Sequence, residues 1–357
     1  MTLKETLDRS VQKHGERVLM TFKRDDAWQN LTYREFLANV RNIAEAMARA
    51  CHVRPETRVA LIGANSPEWG AIYYAITGLG ATAVPIDVKL QEQEISYILA
   101  DSGASVLFMD FAAEARVLDV ANRCPSLRHM VLYGSRKPEL DNGKARGIQL
   151  HDFDQLLATY KEQSAGHSAA YDRYHPKPGD VASFIYTSGT TGRPKGAMLT
   201  HGNWIAAMDA ERDVLGITDR DAYLGIYPMG HVGISWGISA LRAGATYIVM
   251  ERFDLDRYIE LARKYRAAIV AGMPPVIHSL LQTPPGTEEA LATVRAMISG
   301  GGPLTPGIWK PFHERFRIPI VNAYGLSETI VVGTGTAIRP AHYATAGEFR
   351  SVGTPVC

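Results

Sequence analysis

The chain has 357 residues, 46% of them apolar and 21% charged, an ordinary composition for a soluble protein of roughly two to three domain-sized units. Thirty-eight Lys and Arg against 37 Asp and Glu give a formal net charge of +1. No global field therefore draws nucleic acid or anionic lipid, and a polyanionic ligand would need a local site. Cys51, Cys124 and Cys357 lie far apart with no CxxC pair. They fit neither a disulfide framework nor a zinc pattern, and read as small buried hydrophobes in a reducing interior. The charged N-terminus "MTLKETLDRSVQKHGERV" has no apolar h-region. No run approaches the ~18 apolar residues of a membrane span. The expected location is the cytoplasm.

From residue 57 strand and helix patterns alternate. "RVALIGA" (58–64) is a short run of β formers. It is followed by "SPEWGAIYYAITGLG", where Ser66 suits an N-cap, Pro67 the first helical turn, and Gly78 and Gly80 the end. "ATAVPID" predicts the next strand, "LQEQEISYILADSG" the next helix, "SVLFMD" a strand, 112–123 a helix and "HMVLYG" a strand. Residues 134–180 are polar and rich in Gly and Pro, and predict a surface connection with one short helix near 152–161. The rhythm resumes with the strand "VASFIY". "MGHVGISWGISALRAG" reads as an apolar helix, "ATYIVM" as a strand, and "DLDRYIELARKYR" as an amphipathic helix capped by Asp254. In that helix Leu255, Tyr258, Ile259, Ala262 and Tyr265 share one face. The strands "AAIVAGM", "VRAMISGG" and "PIVNAYG" follow, with the helix "TPGIWKPFHERF" before the last. Apolar strands separated by helices predict layered α/β/α subdomains with largely parallel sheets. The approximate subdomains are 1–170 and 171–340.

"FIYTSGTTGRPKGAMLTH" (184–201) breaks the pattern. An apolar strand runs into a loop of Gly, Ser and Thr that ends on Pro194 and Lys195. Backbone N–H groups in such a loop can converge on one anion, and glycine permits their close approach. Thr187, Ser188, Gly189, Thr190, Thr191, Gly192 and Lys195 together form a candidate triphosphate clamp, with Lys195 as a mobile point charge. The P-loop pattern does not fit, because Lys195 precedes its glycine and a short strand follows in place of a helix. A flexible surface linker is the plain alternative.

"YTSGTTGRPKG" resembles the phosphate-loop signature of the adenylate-forming superfamily: acyl-CoA synthetases, luciferases and peptide-synthetase adenylation domains. "YGLSET" (324–329) and "SGGGPL" (299–304) resemble two further family signatures in the right order. "LTYREF", "VALIGANSPEW" and "GATAVPID" resemble its N-terminal landmarks. The resemblance implies activation of a carboxylic acid by ATP to acyl-AMP and pyrophosphate, then transfer to coenzyme A. Mg²⁺, lysine and amide donors would offset the repulsion between the two anions.

It further implies Glu328 as the magnesium ligand, with Thr187 a second oxygen donor, and Ser327 where the family usually has Thr. Gly301, Gly302 and Pro303 would leave room for adenine; Asn322, Ala323 and Tyr324 would flank it, and Gly325 and Leu326 complete that segment. His231 matches a family histidine beside the carboxylate and phosphate. Met229, Trp236, Val331 and Val332 are candidate walls of an acyl pocket, with ordinary core packing the rival for each. Peptide-synthetase adenylation domains hold their substrate's amino group with an Asp in the matching region, and no acidic residue lies within 226–239; the resemblance thus argues against an α-amino acid substrate and for a fatty or aromatic acid. Different acceptors, as in luciferase-like enzymes or acyl-AMP ligases, share this half of the chemistry.

The last lysine is Lys310 and the last aspartate Asp256. The family places an Asp that grips the ribose and a lid lysine downstream of "YGLSET". The expectation is therefore a partial adenylation domain, with 341–357 the start of a β-rich subdomain and the C-terminal lid absent. Such a chain would adenylate poorly, or act as a nucleotide- or acyl-binding fragment. The sequence leaves the oligomeric state open.

Overall fold

A computed structural model describes residues 1–111, 120–121, 123–134, 147–164, 168–187, 193–330, 334–338 and 354–355. The expected helix at 112–123 and the start of a β-rich subdomain at 341–357 fall wholly or mostly outside these residues.

The chain forms two compact units. The first comprises Met1–Glu16, Tyr33–Ile205 and Pro228–Ile234; the second comprises Arg17–Thr32, Ala206–Tyr227 and Ser235–Cys357. Neither is a single stretch of sequence; the sequence reading placed boundaries near 170 and 340.

The first unit is built on a seven-stranded sheet. In spatial order its strands are Gln149–Asp152, His129–Tyr133, Val106–Asp110, Arg58–Ile62, Thr82–Ile86, Val181–Thr187 and Lys195–Thr200. All neighbours are parallel except the last pair. Central strands buried on both faces need continuous apolar runs, and Arg58–Ile62 and Thr82–Ile86 supply them. One face packs Ala60, Ile62, Val84, Ile86, Leu107 and Met109 against Ile95, Ile98 and Leu99 of the helix Glu92–Ser102. On the other, Phe153 meets Phe108 and Tyr133 edge-on or tilted, with ring centroids 6.4 and 6.0 Å apart. The helix Pro67–Gly78 starts as its sequence predicts: Ser66 accepts a hydrogen bond from the Trp69 N–H, and Pro67 sits in the first turn. All its residues but Glu68 are buried, as an almost wholly apolar helix requires.

The segment 134–180 is not simply a surface connection. Gln149–Asp152 adds a parallel strand to the sheet, and Phe153–Ser164 and Ala169–Arg173 are helices. Tyr171 is fully buried. A Cβ on Gly78 would stand 2.4 Å from its ring. Lys4 Nζ lies 4.4 Å from the ring centroid and donates to the carbonyls of Tyr171 and Tyr174. Glu45, itself buried, accepts from Ser168 Oγ at 2.9 Å and from the Ala170 N–H at 3.0 Å. The Lys4 and Glu45 contacts reach across more than a hundred positions of sequence, so local polarity gave no sign of them.

The second unit carries a nine-stranded sheet. Its spatial order is Thr354–Pro355, Thr334–Ile338, Ile320–Tyr324, Ala296–Ser299, Ile269–Ala271, Ala222–Gly225, Thr246–Val249, Val18–Arg24 and Ala27–Thr32. The five junctions from Ile320–Tyr324 to Val18–Arg24 are parallel. The N-terminal hairpin was not predicted; it turns through Asp25 and Asp26, both at positive φ. The apolar helix expected over 229–244 starts only at Ile234. Pro228 and the glycines at 230 and 233 keep the preceding residues in turns. Helices at His201–Leu215 and Pro274–Leu281 were also not predicted. The helix Leu255–Lys264 is capped by Asp254 and fully buries Tyr258, Leu261 and Ala262. Leu255, Ile259 and Tyr265 are partly exposed.

Candidate functional site

In parallel α/β sheets, loops at the carboxyl ends of the strands gather ligand-binding groups. In the first unit three adjacent strands, Arg58–Ile62, Thr82–Ile86 and Val181–Thr187, end on one edge. They lead into Asn65, Asp87 and the hydroxyl-rich loop respectively.

That loop closes a hairpin. Val181–Thr187 pairs antiparallel with Lys195–Thr200, with Thr187 opposite Lys195 and Tyr186 opposite Gly196. Directly opposed residues project to the same face, so Thr187 and Lys195 stand together where the loop begins and ends. Thr187 is half-buried and Lys195 exposed. Ser188, Gly189, Thr190, Thr191 and Gly192 lie outside the described residues. The hairpin base is rigidly held: Ser183, fully buried, accepts from Trp204 Nε1 at 3.0 Å, and Tyr186 donates to Asp101 at 2.7 Å. A Cβ on Gly196 would come within 3.1 Å of the Tyr186 ring, so this glycine serves the cross-strand packing.

His231 sits in the turn before the helix Ile234–Ala243. Gly230 brings that turn against the end of Thr82–Ile86, since a Cβ there would stand 2.9 Å from the Ile86 carbonyl oxygen and 3.3 Å from the Asp87 Cα. The Met229 N–H donates to Asn65 Oδ1 at 2.7 Å. Burial lowers the His231 pKa from its ordinary value, and the nearby Asp87 carboxylate opposes the shift. The ring is therefore a neutral imidazole at neutral pH, able to donate one hydrogen bond and accept another. Met229 is 1% exposed.

In the second unit two adjacent parallel strands, Ala296–Ser299 and Ile320–Tyr324, end side by side, with Ser299 opposite Asn322. A Cβ on Gly300 would stand 2.9 Å from the Ala323 carbonyl oxygen; glycine lets the strand ends approach. Gly301 adopts φ +78°, the left-handed region that favours glycine. Gly301, Gly302 and Pro303 are exposed. Beside them Asn322 is half-buried, Ala323 buried, and Tyr324 presents a ring that is 50% exposed. Small residues thus follow one strand end, and an exposed aromatic ring ends its neighbour. Tyr324 is not a core tyrosine.

Past Gly325 and Leu326 the chain makes a 3₁₀ turn, Ser327–Thr329. Thr329 Oγ1 closes it, accepting from the Leu326 N–H at 2.9 Å and donating to the Leu326 carbonyl at 3.0 Å. Ser327 is buried and Glu328 exposed. Ile330 follows at φ +51°, a strained conformation for a β-branched residue. Trp236, on the helix Ile234–Ala243, is buried. Val331 and Val332 lie outside the described residues.

Asn65, Asp87 and Thr329 were not singled out from the sequence. For Asn65 and Asp87 the available signal was position, each lying just beyond the end of a predicted strand.

The AMP-binding enzyme family profile matches residues 7–357. The chain is 26% identical over 340 residues to 3-methylmercaptopropionyl-CoA ligase of Ruegeria pomeroyi, covering 94% of this chain and 61% of that protein. It is 28% identical over 310 residues to 3-hydroxybenzoate–CoA/4-hydroxybenzoate–CoA ligase of Thauera aromatica, covering 85% of this chain and 56% of the relative. The chain thus spans about 60% of the length of these curated relatives. Among solved structures, the inhibitor-bound N-terminal domain of FACL13 from Mycobacterium tuberculosis superposes with a TM-score of 0.82 and 26% identity. That match covers 99% of this chain and 82% of the other. An anthranilate CoA ligase in complex with anthranoyl-AMP has a TM-score of 0.83 at 21% identity, covering 100% and 64%; this likeness concerns the fold.

Proposed function

The chain belongs to the AMP-binding enzyme family, and we propose that it carries the adenylation site of an AMP-forming acid–thiol ligase. In this reading a carboxylate oxygen attacks the α-phosphorus of ATP. The bond to the leaving pyrophosphate breaks, and acyl-AMP forms. The thiol of coenzyme A then attacks the acyl carbonyl and AMP leaves. The observation that carries the reading is the pair of strand-end arrangements: Thr187 opposite Lys195 at the base of the hydroxyl-rich loop, and the parallel neighbours Ala296–Ser299 and Ile320–Tyr324, which lead into the glycines at 300–302 and into Glu328.

Each residue then has a task. The N–H groups of 188–192 and the Lys195 ammonium bind phosphate oxygens and offset their charge. Gly301, Gly302 and Pro303 admit the adenine, Tyr324 stacks on it, and Asn322, Ala323, Gly325 and Leu326 border it. The Ser327 hydroxyl donates to the α-phosphate. Neutral His231 donates one hydrogen bond toward the acid carboxylate and orients it for attack. Glu328 is an exposed carboxylate, and hard oxygen donors of this kind, with Thr187 and phosphate oxygens, fit Mg²⁺. When bound, Mg²⁺ would neutralise phosphate charge during transfer.

For the acid, the absence of a carboxylate within 226–239 disfavours an α-amino acid. Buried Met229 and Trp236, with Val331 and Val332, suit an apolar fatty or aromatic tail. The names of the relatives, which are CoA ligases of aromatic and small organic acids, support this class. Free thiols at Cys51 and Cys124 support a reducing, cytoplasmic setting.

A second reading is a nucleotide- or acyl-binding chain without turnover. Two measurements on this chain separate the readings: acid-dependent ATP–pyrophosphate exchange, and binding of a non-hydrolysable acyl-adenylate analogue. Exchange with an aromatic or fatty acid, lowered about 100-fold in Lys195→Ala, supports ligase chemistry; the size is typical of one lost charge-stabilising group. Analogue binding without exchange supports the second reading. Neither exchange nor analogue binding would refute both.

A further inference from the structure

In the first unit three residues far apart in sequence meet at one edge of the sheet. Cys51 follows the helix Tyr33–Ala50, His129 opens the strand His129–Tyr133, and His151 lies in the neighbouring strand Gln149–Asp152. In the parallel register His129 faces Gln149 and Val131 faces His151. His129 and His151 therefore occupy the same face, two positions apart. One ligand atom from each of Cys51, His129 and His151 lies within 4.8 Å of the other two. We propose that Cys51, His129 and His151 form a binding site for a late first-row dication, with Zn²⁺ as its natural occupant.

The two rings lie at hydrogen-bonding distance, and the same spacing fits an ion held between them. His129 Nδ1 and His151 Nε2 are 3.2 Å apart. Two imidazole nitrogens bound to one tetrahedral zinc at ~2.0–2.1 Å stand about 3.3–3.4 Å apart. A thiolate in the same shell would lie about 3.6 Å from each nitrogen, so closing the site needs the sulfur to move by no more than about 1 Å. Cys51 is a free cysteine, 3% exposed, and so is shielded from the disulfide exchange that competes with metal binding. His129 is buried and His151 half-buried, which leaves the fourth position on the His151 side to water. A further imidazole, that of His52, has its ring centroid 5.9 Å from that of His129. One soft thiolate with two imidazoles selects Zn²⁺, Co²⁺ or copper, and disfavours Mg²⁺ and Ca²⁺, which want oxygen. Binding displaces the thiol proton to solvent and forms Zn–S and two Zn–N bonds with no change of oxidation state. It would tie the end of a helix to two strands, a structural role independent of acid activation.

The test is cobalt spectroscopy on the metal-free 357-residue chain, without nucleotide. One equivalent of Co²⁺ is expected to give a thiolate-to-cobalt charge-transfer band and tetrahedral d–d bands, both displaced by one equivalent of Zn²⁺. Cys51→Ser should abolish the charge-transfer band, and Cys124→Ser should leave it unchanged. His151→Gln, at the half-exposed ligand, should weaken Zn²⁺ binding at least tenfold and remove the rise in Tm that Zn²⁺ gives the parent chain. It provides the test even where Cys51→Ser fails to fold. The proposal is overturned by the absence of a thiolate band in the parent chain, by a band that survives Cys51→Ser, or by unchanged Zn²⁺ affinity in His151→Gln.

Discussion

Replacing Glu211 by Gln tests how the second unit accommodates a buried carboxyl. Glu211 is fully buried on the helix His201–Leu215. Ser235 Oγ donates to its Oε1 at 2.6 Å, and Ser239 Oγ donates to its Oε2. Two effects compete. Burial disfavours the charged form, while the two hydroxyl donors favour it. Burial wins, and the pKa rises from 4.5 to about 8. The folded state thus holds a proton that the unfolded state releases above about pH 4.5. Because the folded pKa is raised, the stability due to this group is complete below pH 4.5 and is lost as pH rises toward 8. Each pH unit inside that window costs about 1.4 kcal/mol, so the step from about pH 5 to 7.5 costs about 3 kcal/mol. A glutamine side chain in its place keeps the shape and can bond both serines but does not titrate. Chemical denaturation of the parent chain and Glu211→Gln at several pH values from about 5 to 7.5 isolates this contribution, because all other titrating groups cancel in the difference. The parent chain should lose about 3 kcal/mol relative to the variant. Parallel curves would refute the reasoning and mean that the serine donors hold Glu211 ionised throughout.

Gly230→Ala would force a Cβ to within 2.9 Å of the Ile86 carbonyl, costing about 1–3 kcal/mol and displacing the His231 turn; thermal unfolding and pyrophosphate exchange should both fall. Since burial lowers the His231 pKa from 6.5, the imidazole stays neutral as pH drops through that value and protonates only below it. The acid limb of the exchange rate should therefore lie below pH 6.5 and vanish in His231→Asn; a limb above 6.5 would contradict the role given to this ring. Tyr324→Ala removes a half-exposed ring, so Tm should hold while affinity for AMP, measured by calorimetry, drops about ten- to a hundredfold, as for one lost aromatic–base stack.

The sequence by itself determined the order of buried strands and the residues that start several helices. Runs such as "VALI" and "TAVPI" are apolar without alternation, and only a strand covered on both faces uses such a run. Ser66–Pro67 and Asp254 mark helix starts because capping is satisfied within three residues. The strand, loop and following strand around Thr187 and Lys195, and the glycine-rich turn after Ser299, were legible for the same reason: their signals lie in contiguous residues. Where the governing interaction is distant, the sequence was silent. Tyr171 is buried by Gly78 and Lys4, Gly230 is dictated by the Ile86 carbonyl, and the 134–180 segment looked like a surface connection because its partners are elsewhere in the chain. Cys51 showed no metal spacing because His129 and His151 lie about 80 and 100 positions away and meet each other through strand register. Spacing along the chain encodes a site when one helix or loop holds all its ligands; here strand pairing brought the two histidines together and the end of a helix brought Cys51 to them, and both are properties of the tertiary structure.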